Sequence, residues 1–223
     1  MALVAAFDLE IVQLDAINAF LNSAIDEETF VEFPEGFKEA GSVLQLFRAL
    51  YGLRQSPRLW YKDLTKALQA LGLMPVPDAN CLLSNEWLTV LYFVDDILCI
   101  YHARDSQQFE SFLPRLQERF PMRRMKEANW FLGIRIIRDR ATRRLWLCQD
   151  SYIEKLAAKF NINCDAKLPD TPIAADTVLT PYEGQATQQE MYAYQQRVGS
   201  VNFANVGTRG DIARTYSVLS QFL

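Results

Sequence analysis

The segment Leu91–Tyr101, LYFVDDILCIY, places two adjacent carboxylates in the middle of an otherwise apolar stretch. Ionised groups are costly to bury without compensation, so a fold must bring this pair to the surface or to a bound cation. The aliphatic and aromatic residues on either side predict two short strands, Leu88–Val94 and Ile97–Tyr101. These strands would fold back on each other with Asp95 and Asp96 at the tip.

Two neighbouring carboxylates repel each other, so keeping both ionised suggests a divalent cation with a third ligand from elsewhere in the chain. The alternative is that Asp95-Asp96 serves only as a hairpin turn, in which aspartate is common. A second pattern favours the cation: the apolar stretch Ile11–Leu21 contains a single acid, Asp15. A strand ending in one acid, with a hairpin carrying two, is the ligand set of a two-magnesium phosphoryl-transfer centre. A role for Asp15 as a cap of the following turn is the alternative.

Five sequence blocks, spread along essentially the whole chain, carry a more specific signal. They are Gln13–Phe37 (QLDAINAFLNSAIDEETFVEFPEGF), Leu46–Tyr61 (LFRALYGLRQSPRLWY), Leu91–Tyr101, Trp130–Asp139 (WFLGIRIIRD) and Val198–Phe222 (VGSVNFANVGTRGDIARTYSVLSQF). In this order they resemble the blocks of the reverse transcriptase of copia-type LTR retrotransposons. Five matches in order argue against coincidence, and hence against an unrelated magnesium-dependent nucleotidyltransferase.

The resemblance implies an α+β fold. It would comprise a reverse-transcriptase palm, an antiparallel sheet with helices on one face, followed by a mostly helical region similar to a thumb or connection. On this basis residues 1–128 form the palm with partial fingers, and residues 129–223 form a primer-grip-like hairpin and a helical thumb-like region.

Periodicity and chain breakers predict the individual elements. Ser56 supplies a capping hydroxyl for a helix that Gly72 ends, and Pro114 interrupts a second amphipathic stretch. The predicted helices are Pro57–Leu71, Ser106–Phe120, Ser151–Phe160 and Glu190–Leu223, and a predicted hairpin joins Trp130–Ile137 to Leu145–Gln149. The first of these helices would present one apolar face, formed by Trp60, Leu64, Ala67, Leu68 and Leu71.

The resemblance also implies catalytic roles. Asp15, Asp95 and Asp96 would be the catalytic residues and would hold two magnesium ions, for which manganese could substitute. The backbone carbonyl of Ala16 would be a further oxygen ligand. Phe20 occupies the position that excludes a ribose 2′-hydroxyl in the family, and an ordinary core phenylalanine is the alternative.

Two further groups of residues fall in matched blocks that imply substrate contacts. The nucleotide and template pocket would be formed by Tyr51, Gly52, Arg54 and Gln55, the glycine allowing a close approach of the backbone. Primer and template contacts would come from Phe93 and from the hairpin residues Trp130, Phe131, Leu132 and Gly133. Arg123 and Arg124 lie outside the matched blocks and would add contacts to the primer and template as part of a basic segment. The alternative for the aromatic pair of this hairpin is a place in the core.

The formal net charge of −4 is unfavourable for a nucleic-acid binder, because phosphate neutralisation requires Lys and Arg. The charge is unevenly distributed, however, with ten basic and only three acidic residues between Arg115 and Arg144. A basic stripe beside an acidic centre fits a protein that follows the backbone of a primer and its template. For any single arginine, a solvated position on the surface of a hairpin is the alternative.

Targeting and metal-binding patterns are otherwise sparse. No run is long and apolar enough to span a bilayer, and the N-terminus carries acids where a signal peptide would carry bases. We therefore expect an intracellular chain, cytoplasmic or nuclear, that is neither secreted nor membrane-bound. The four cysteines form no C-x-x-C pair and His102 is the one histidine, which predicts buried free thiols rather than a zinc site.

Some features depart from the family pattern. The upstream finger strands, whose basic residues close over the triphosphate, and a ribonuclease H-like segment have no counterpart in the chain, and Ile17 stands where a lysine is common. The first interpretation is an RNA-directed DNA polymerase fragment whose partners are an RNA template, a DNA primer and dNTPs. Other Pol segments or a homo-oligomer would cover the surface left by the missing fingers. The second is a decayed or repurposed, catalytically inactive module that binds nucleic acid or protein.

Overall fold

The computed structural model describes residues 1–37, 41–162, 170–174 and 176–223. The chain divides into two compact units. The first comprises Met1–Leu132 with Arg138–Leu145, and the second comprises Gly133–Ile137 with Trp146–Leu223. Within the described ranges, no helix is long and apolar enough to cross a membrane.

An antiparallel sheet organises the first unit. The elements of this part of the chain are α1 (Ala2–Ala6), β1 (Glu10–Ala16), β2 (Ala24–Val31), β3 (Leu44–Arg48), α2 (Ser56–Ala70), β4 (Met74–Val76), β5 (Ala79–Ser84), β6 (Leu88–Phe93), β7 (Asp96–Tyr101), α3 (Ser106–Gln117), β8 (Met122–Arg124) and β9 (Trp130–Phe131), with short 3-10 helices at Ala19–Asn22 and Ala103–Asp105. Six strands form one sheet in the order β4-β5-β6-β7-β1-β8, and β2 pairs with β3 in a separate hairpin.

The hydrophobic core lies on one face of this sheet. Successive side chains of a strand point to opposite faces. Along β1, Val12, Leu14 and Ala16 belong to the buried core, together with the apolar faces of α2 and α3. Gln13 and Asp15 therefore point to the face away from these helices. The predicted α+β fold, an antiparallel sheet with helices on one face, is confirmed.

Helix α2 confirms the predicted apolar face but corrects the predicted cap. Trp60 and Leu64 are almost fully buried, and Gly72 ends the helix with a φ of +92°. Ser56, however, is already helical, and the N-cap residue is Gln55, which makes no side-chain capping bond. The Ser56 hydroxyl instead donates to the Leu50 carbonyl at 2.7 Å, since this oxygen lies in the turn that precedes the helix. The predicted capping role of Ser56 is wrong.

The other predicted elements are present with shifted ends. Helix α3 stops at Gln117, three residues before the predicted end, and the predicted hairpin is formed by β10 (Ile134–Asp139) and β11 (Arg144–Cys148). The single strand predicted for Trp130–Ile137 is wrong, because a turn with positive φ at Leu132 and Gly133 divides it into β9 and β10. Strands β9, β10 and β11 make a second sheet in the order β11-β10-β9. The helices that follow are α4 (Asp150–Lys159), α5 (Gln188–Gly207) and α6 (Ala213–Ser220), with a 3-10 helix at Gly210–Ile212.

The segment Glu190–Leu223 is mostly helical, as predicted, but it is not one continuous helix, because α5 ends at Gly207. The buried Gln149 side chain lies at this point: its amide nitrogen donates to the Phe203 carbonyl at 3.4 Å, and its oxygen accepts from the Thr208 hydroxyl at 2.9 Å. A β-carbon at Gly207 would collide with Gln149. A long-range polar contact therefore ends α5, which helical periodicity does not reveal.

The prediction that the cysteines are buried free thiols is confirmed for only one of the described cysteines. Cys99 is buried in the core, and burial raises the pKa of its thiol to about 12, so it is unreactive at neutral pH. Cys81 and Cys148 are free but only half-buried, so the prediction of complete burial is wrong for them. Cys164 lies outside the described residues.

Candidate active site

Strand register brings Asp15 and Asp96 together across 81 positions of sequence. In the antiparallel pair of β1 and β7, Leu14 lies opposite Ile97 and Asp15 lies opposite Asp96. Residues directly opposite each other share one face of a sheet, with β-carbons about 4.5–5.5 Å apart. Leu14 and Ile97 are fully buried on the helix-covered face, so the two acids lie on the other face.

The tip of the β6–β7 hairpin carries Asp95 but not Asp96, which corrects the prediction that both acids form the tip. Pairing continues to Phe93 opposite Asp96, so only Val94 and Asp95 form the loop. Two-residue hairpin loops need a positive φ at the first loop position, and Val94 has a φ of +55°. This conformation is strained for a β-branched side chain, so the surrounding structure must hold it in place.

Two hydrogen bonds hold this strained loop. The Trp60 indole nitrogen donates to the Val94 carbonyl at 2.6 Å, and the Ala16 backbone nitrogen donates to the Asp95 carbonyl at 2.9 Å. Asp95 is thereby tied to the residue that follows Asp15. The N-cap of the next 3-10 helix is Asn18 rather than Asp15, so the alternative capping role of Asp15 is not observed.

The electrostatics of the three acids are coupled. Burial raises the pKa of the Asp96 carboxyl, and the negative charges of Asp95 and Asp15 add to this rise. The Gln13 side chain opposes the rise by donating to Asp96 Oδ1 at 3.2 Å. Burial also raises the pKa of the Tyr51 hydroxyl, with further contributions from Asp95 and Asp15. Tyr51 and the three carboxylates therefore lie within electrostatic reach of one another.

The donor chemistry fits magnesium, although the side chains are not preassembled as a cage. In the described part of the chain, no group of three or more His, Cys, Asp or Glu side chains is arranged to hold a metal ion. Magnesium is usually bound by only one or two carboxylates together with substrate phosphates. Asp15 and Asp96 supply such a pair on one face of the sheet, and Asp95 is adjacent.

We expect the Asp96→Asn variant to be more stable than the wild-type chain at pH 7. Because folding raises the Asp96 pKa, the native state binds the proton more tightly than the unfolded state. The free energy of unfolding therefore falls as the pH rises from the ordinary value of 3.8 through the raised native value, and the loss is complete above it. Thermal unfolding in EDTA at pH 7 and at about pH 4 measures this.

Asp63→Asn is the matched control for this prediction, since among the described residues no hydrogen bond or ion pair involves the Asp63 side chain. Only Asp96→Asn should gain stability at pH 7, and its advantage should shrink towards pH 4. An advantage of equal size at both pH values would contradict the assigned cause.

The predicted nucleotide pocket forms a turn that connects β3 to α2. The Leu53 amide donates to the Leu50 carbonyl at 3.3 Å, and Gly52 has a φ of +94°. A β-carbon on Gly52 would meet nothing within 4 Å, so backbone conformation rather than close approach explains this glycine in the free chain. Arg54 is exposed, while Gln55 donates to the Thr29 hydroxyl at 3.3 Å.

The predicted sugar-excluding residue lies beside this turn. Phe20 is buried within the core, and its ring lies 4.5 Å from the half-exposed ring of Tyr51, measured between centroids. The structure thus joins the first block to the second at one aromatic pair. Phe20 has the burial expected of a core residue, yet its ring contacts Tyr51, whose pKa is raised by burial and by the charges of Asp95 and Asp15.

The predicted primer-side residues differ in exposure. Phe93 is 55% exposed directly opposite Asp96, and Trp130 is 43% exposed, whereas Phe131 is buried. The core alternative therefore describes Phe131 and not Trp130. Leu132 and Gly133, with φ values of +52° and +75°, form the tight turn between β9 and β10.

The two adjacent arginines of β8 lie on opposite faces of the sheet. Arg123 pairs in register with Asp15, whereas Arg124 pairs with Leu14. Arg124 accordingly makes an ion pair with Glu110 of α3 at 2.7 Å and lies over the Phe109 ring. The structure thus brings Arg123, but not Arg124, to the acidic face.

Much of the basic stripe is neutralised within the chain. Four of its ten basic residues, Arg124, Arg135, Arg138 and Arg140, make ion pairs with acids. Arg140 forms a bidentate pair with Glu10, with distances of 2.8 and 2.6 Å. Fewer of these arginines are available to phosphates than the composition suggests.

Sequence patterns missed three residues that shape the site. Trp60 and Ser56 were assigned to a helix face and a helix cap, and Gln13 was not singled out. Their contacts with Val94, Leu50 and Asp96 span 34, 6 and 83 positions of sequence. The one available signal was Gln13 itself, a polar residue two positions before Asp15 and so on the same strand face.

Comparison with known proteins identifies the family. Residues 1–175 match the family described as reverse transcriptase (RNA-dependent DNA polymerase). The chain is 34% identical to the retrovirus-related Pol polyprotein from transposon TNT 1-94 of Nicotiana tabacum, covering 100% of the chain and 18% of that protein. It is 33% identical to the retrovirus-related Pol polyprotein from transposon RE1 of Arabidopsis thaliana, over 95% of the chain and 14% of that protein.

A yeast relative supports the same assignment. The putative transposon Ty5-1 protein of Saccharomyces cerevisiae is 30% identical over 94% of the chain and 69% of its own length. The chain spans only a small part of the two plant polyproteins, 18% and 14% of their lengths. Sequence blocks, fold and relatives agree: the chain belongs to the reverse transcriptase family of copia-type retrotransposon Pol polyproteins.

Proposed function

We propose that the chain is the polymerising part of an RNA-directed DNA polymerase, which transfers nucleotidyl groups from dNTPs to a primer 3′-hydroxyl. The observation that carries this proposal is the strand register that sets Asp15 opposite Asp96, with Asp95 hydrogen-bonded through its carbonyl to Ala16. These three carboxylates would hold two magnesium ions, with the Ala16 carbonyl as a further oxygen donor. When bound, magnesium activates the 3′-hydroxyl and neutralises charge on the triphosphate and the leaving pyrophosphate.

The protein side chains mainly position the substrates. Tyr51 and Phe20 form an aromatic surface beside the acids, on which the incoming sugar would rest and where a 2′-hydroxyl would be excluded. The exposed Arg54 would contact the phosphates, and Gln55 would border the template base. These roles rest on the position of each residue in its matched block and on the contacts of Tyr51.

The end of the sheet that carries the acids, on the face away from α2 and α3, would hold the RNA template and the DNA primer. Phe93 lies exposed opposite Asp96, where a terminal base or sugar can stack, and Trp130 offers a second exposed ring. The turn at Leu132 and Gly133 would fix the hairpin that grips the primer terminus. Arg123 lies on the acidic face and would contact a backbone phosphate. We place this activity inside the cell, in the cytoplasm or nucleus.

Primer extension tests the proposal. The chain is incubated with poly(rA)/oligo(dT), dTTP and magnesium, and an Asp95→Asn, Asp96→Asn double variant serves as the negative control. Magnesium-dependent incorporation that the double variant lacks would support polymerisation. Duplex binding without incorporation, retained in both chains, would instead favour the catalytically inactive binding module.

A further inference from the structure

One cation lies in register with the acids of the candidate active site. Three neighbouring strands, β7, β1 and β8, place Asp96 opposite Asp15 and Asp15 opposite Arg123. Residues paired directly across neighbouring antiparallel strands share a face. Asp15 therefore has a carboxylate on one side and a guanidinium on the other.

Arg123 is free to act on these acids. Within the described residues, no hydrogen bond, ion pair or ring contact involves the side chain of Arg123, which is exposed. Its neighbours in the basic stripe are engaged elsewhere: Arg124 pairs with Glu110, and Arg138 pairs with Asp8. Arg123 is thus an uncommitted positive charge on the strand next to Asp15.

Without Arg123, the negative charges of Asp15 and Asp96 on this face of the sheet have no neighbouring positive charge among the described residues. Asp15 and Asp96 face each other with Asp95 adjacent in sequence, and the Gln13 amide supplies a hydrogen bond to Asp96 but no charge. An arginine side chain is long and flexible enough to bridge a direct cross-strand pair. A guanidinium near Asp15 would relieve part of the repulsion, but it would also oppose a second cation at the same carboxylate.

We propose that Arg123 is the counter-charge of Asp15 in the cation-free chain, and that it competes with the divalent cation for this carboxylate. The competition with the cation rests on the proposed function, whereas the coupling to Asp15 does not. Arg123 then lowers cation affinity in the free protein. When nucleic acid is bound, its phosphates attract Arg123 and leave Asp15 to the metal, which couples cation binding to substrate binding.

A double-mutant cycle in EDTA tests the coupling without any metal. Arg123→Gln should lower the thermal midpoint of the wild-type chain by about 1–3 °C, as for an exposed ion pair, and should have no effect in an Asp15→Asn background. Equal shifts in both backgrounds would overturn the proposal. Arg124→Gln, which changes the adjacent arginine on the opposite face, should lower the midpoint equally with and without Asp15→Asn.

Manganese binding, followed by electron paramagnetic resonance without nucleic acid, tests the competition. Arg123→Gln should bind manganese about 3–10-fold more tightly than the wild-type chain, because a competing cation is removed. Arg123→Lys should restore the wild-type affinity, and Arg124→Gln should leave it unchanged. A purely structural loss would weaken binding, so weaker or unchanged binding in Arg123→Gln would overturn the competition.

The two proposals fail in distinguishable ways. Absence of manganese binding in the wild-type and Arg123→Gln chains, together with intact coupling in EDTA, would reject the metal site of the proposed polymerase and the competition, but not the counter-charge. Tight manganese binding that requires Asp15, with zero coupling between Arg123 and Asp15 in EDTA, would reject the counter-charge but not the metal site of the proposed polymerase.

Discussion

Replacing Asp15 by asparagine is expected to reduce magnesium-dependent incorporation by at least about a hundredfold, because metal-assisted stabilisation of charge supplies several kcal/mol to such reactions. Asp15 lies opposite Asp96 on the face of the sheet away from α2 and α3. Asparagine keeps the size of the side chain but removes the charge that binds a hard cation. Primer extension on poly(rA)/oligo(dT) under single-turnover conditions measures the change.

The fold should survive this substitution. Asp15 makes no side-chain hydrogen bond or ion pair with any described residue, so the circular dichroism spectrum should be that of the wild-type chain. Asp63→Asn on α2 removes the same charge and should retain the wild-type incorporation rate. If Asp15→Asn kept the wild-type rate while folded, the acids would not form a catalytic centre.

Replacing Trp60 by alanine is expected to destabilise the first unit by about 3–5 kcal/mol, the usual cost of deleting a large aromatic side chain from a core. Trp60 is 1% exposed, and its ring meets Phe120 edge-to-face with centroids 4.9 Å apart. Its indole also donates to the carbonyl of strained Val94. The substitution therefore removes packing, leaves a carbonyl unpaired and releases the loop that positions Asp95. Urea unfolding followed by circular dichroism measures the loss.

Two further variants separate these contributions. Trp60→Phe keeps most of the packing but removes the donor to Val94, which should cost about 1–3 kcal/mol and slow incorporation. Trp130→Ala, also in the first unit but at a 43% exposed position, should cost less than about 1 kcal/mol. Equal losses for Trp60→Ala and Trp130→Ala would contradict the proposed support of the loop.

Local patterns were sufficient for several elements. The apolar positions of α2 and the aliphatic and aromatic residues of β6 and β7 predicted three elements whose ends differ from the observed ends by no more than one residue. Such predictions need only the local pattern of apolar residues, because the residues that form a buried helix face or a strand are close together in the sequence. The role of Ser56 and the end of α5 at Gly207 were missed, because side-chain contacts outside the helical repeat decide them: Ser56 bonds to Leu50 in the preceding turn, and Thr208 bonds to the distant Gln149.

The sequence alone identified the family, the α+β class and the three candidate metal ligands Asp15, Asp95 and Asp96, because ordered blocks and apolar periodicity are properties of the linear chain. Tertiary structure alone decided that Asp15 faces Asp96, that Trp60 supports Val94, and that Arg123 and Arg124 point in opposite directions. The physical reason is strand register: a shift of one residue would move every side chain of a strand to the other face, and register is set by packing across the whole sheet.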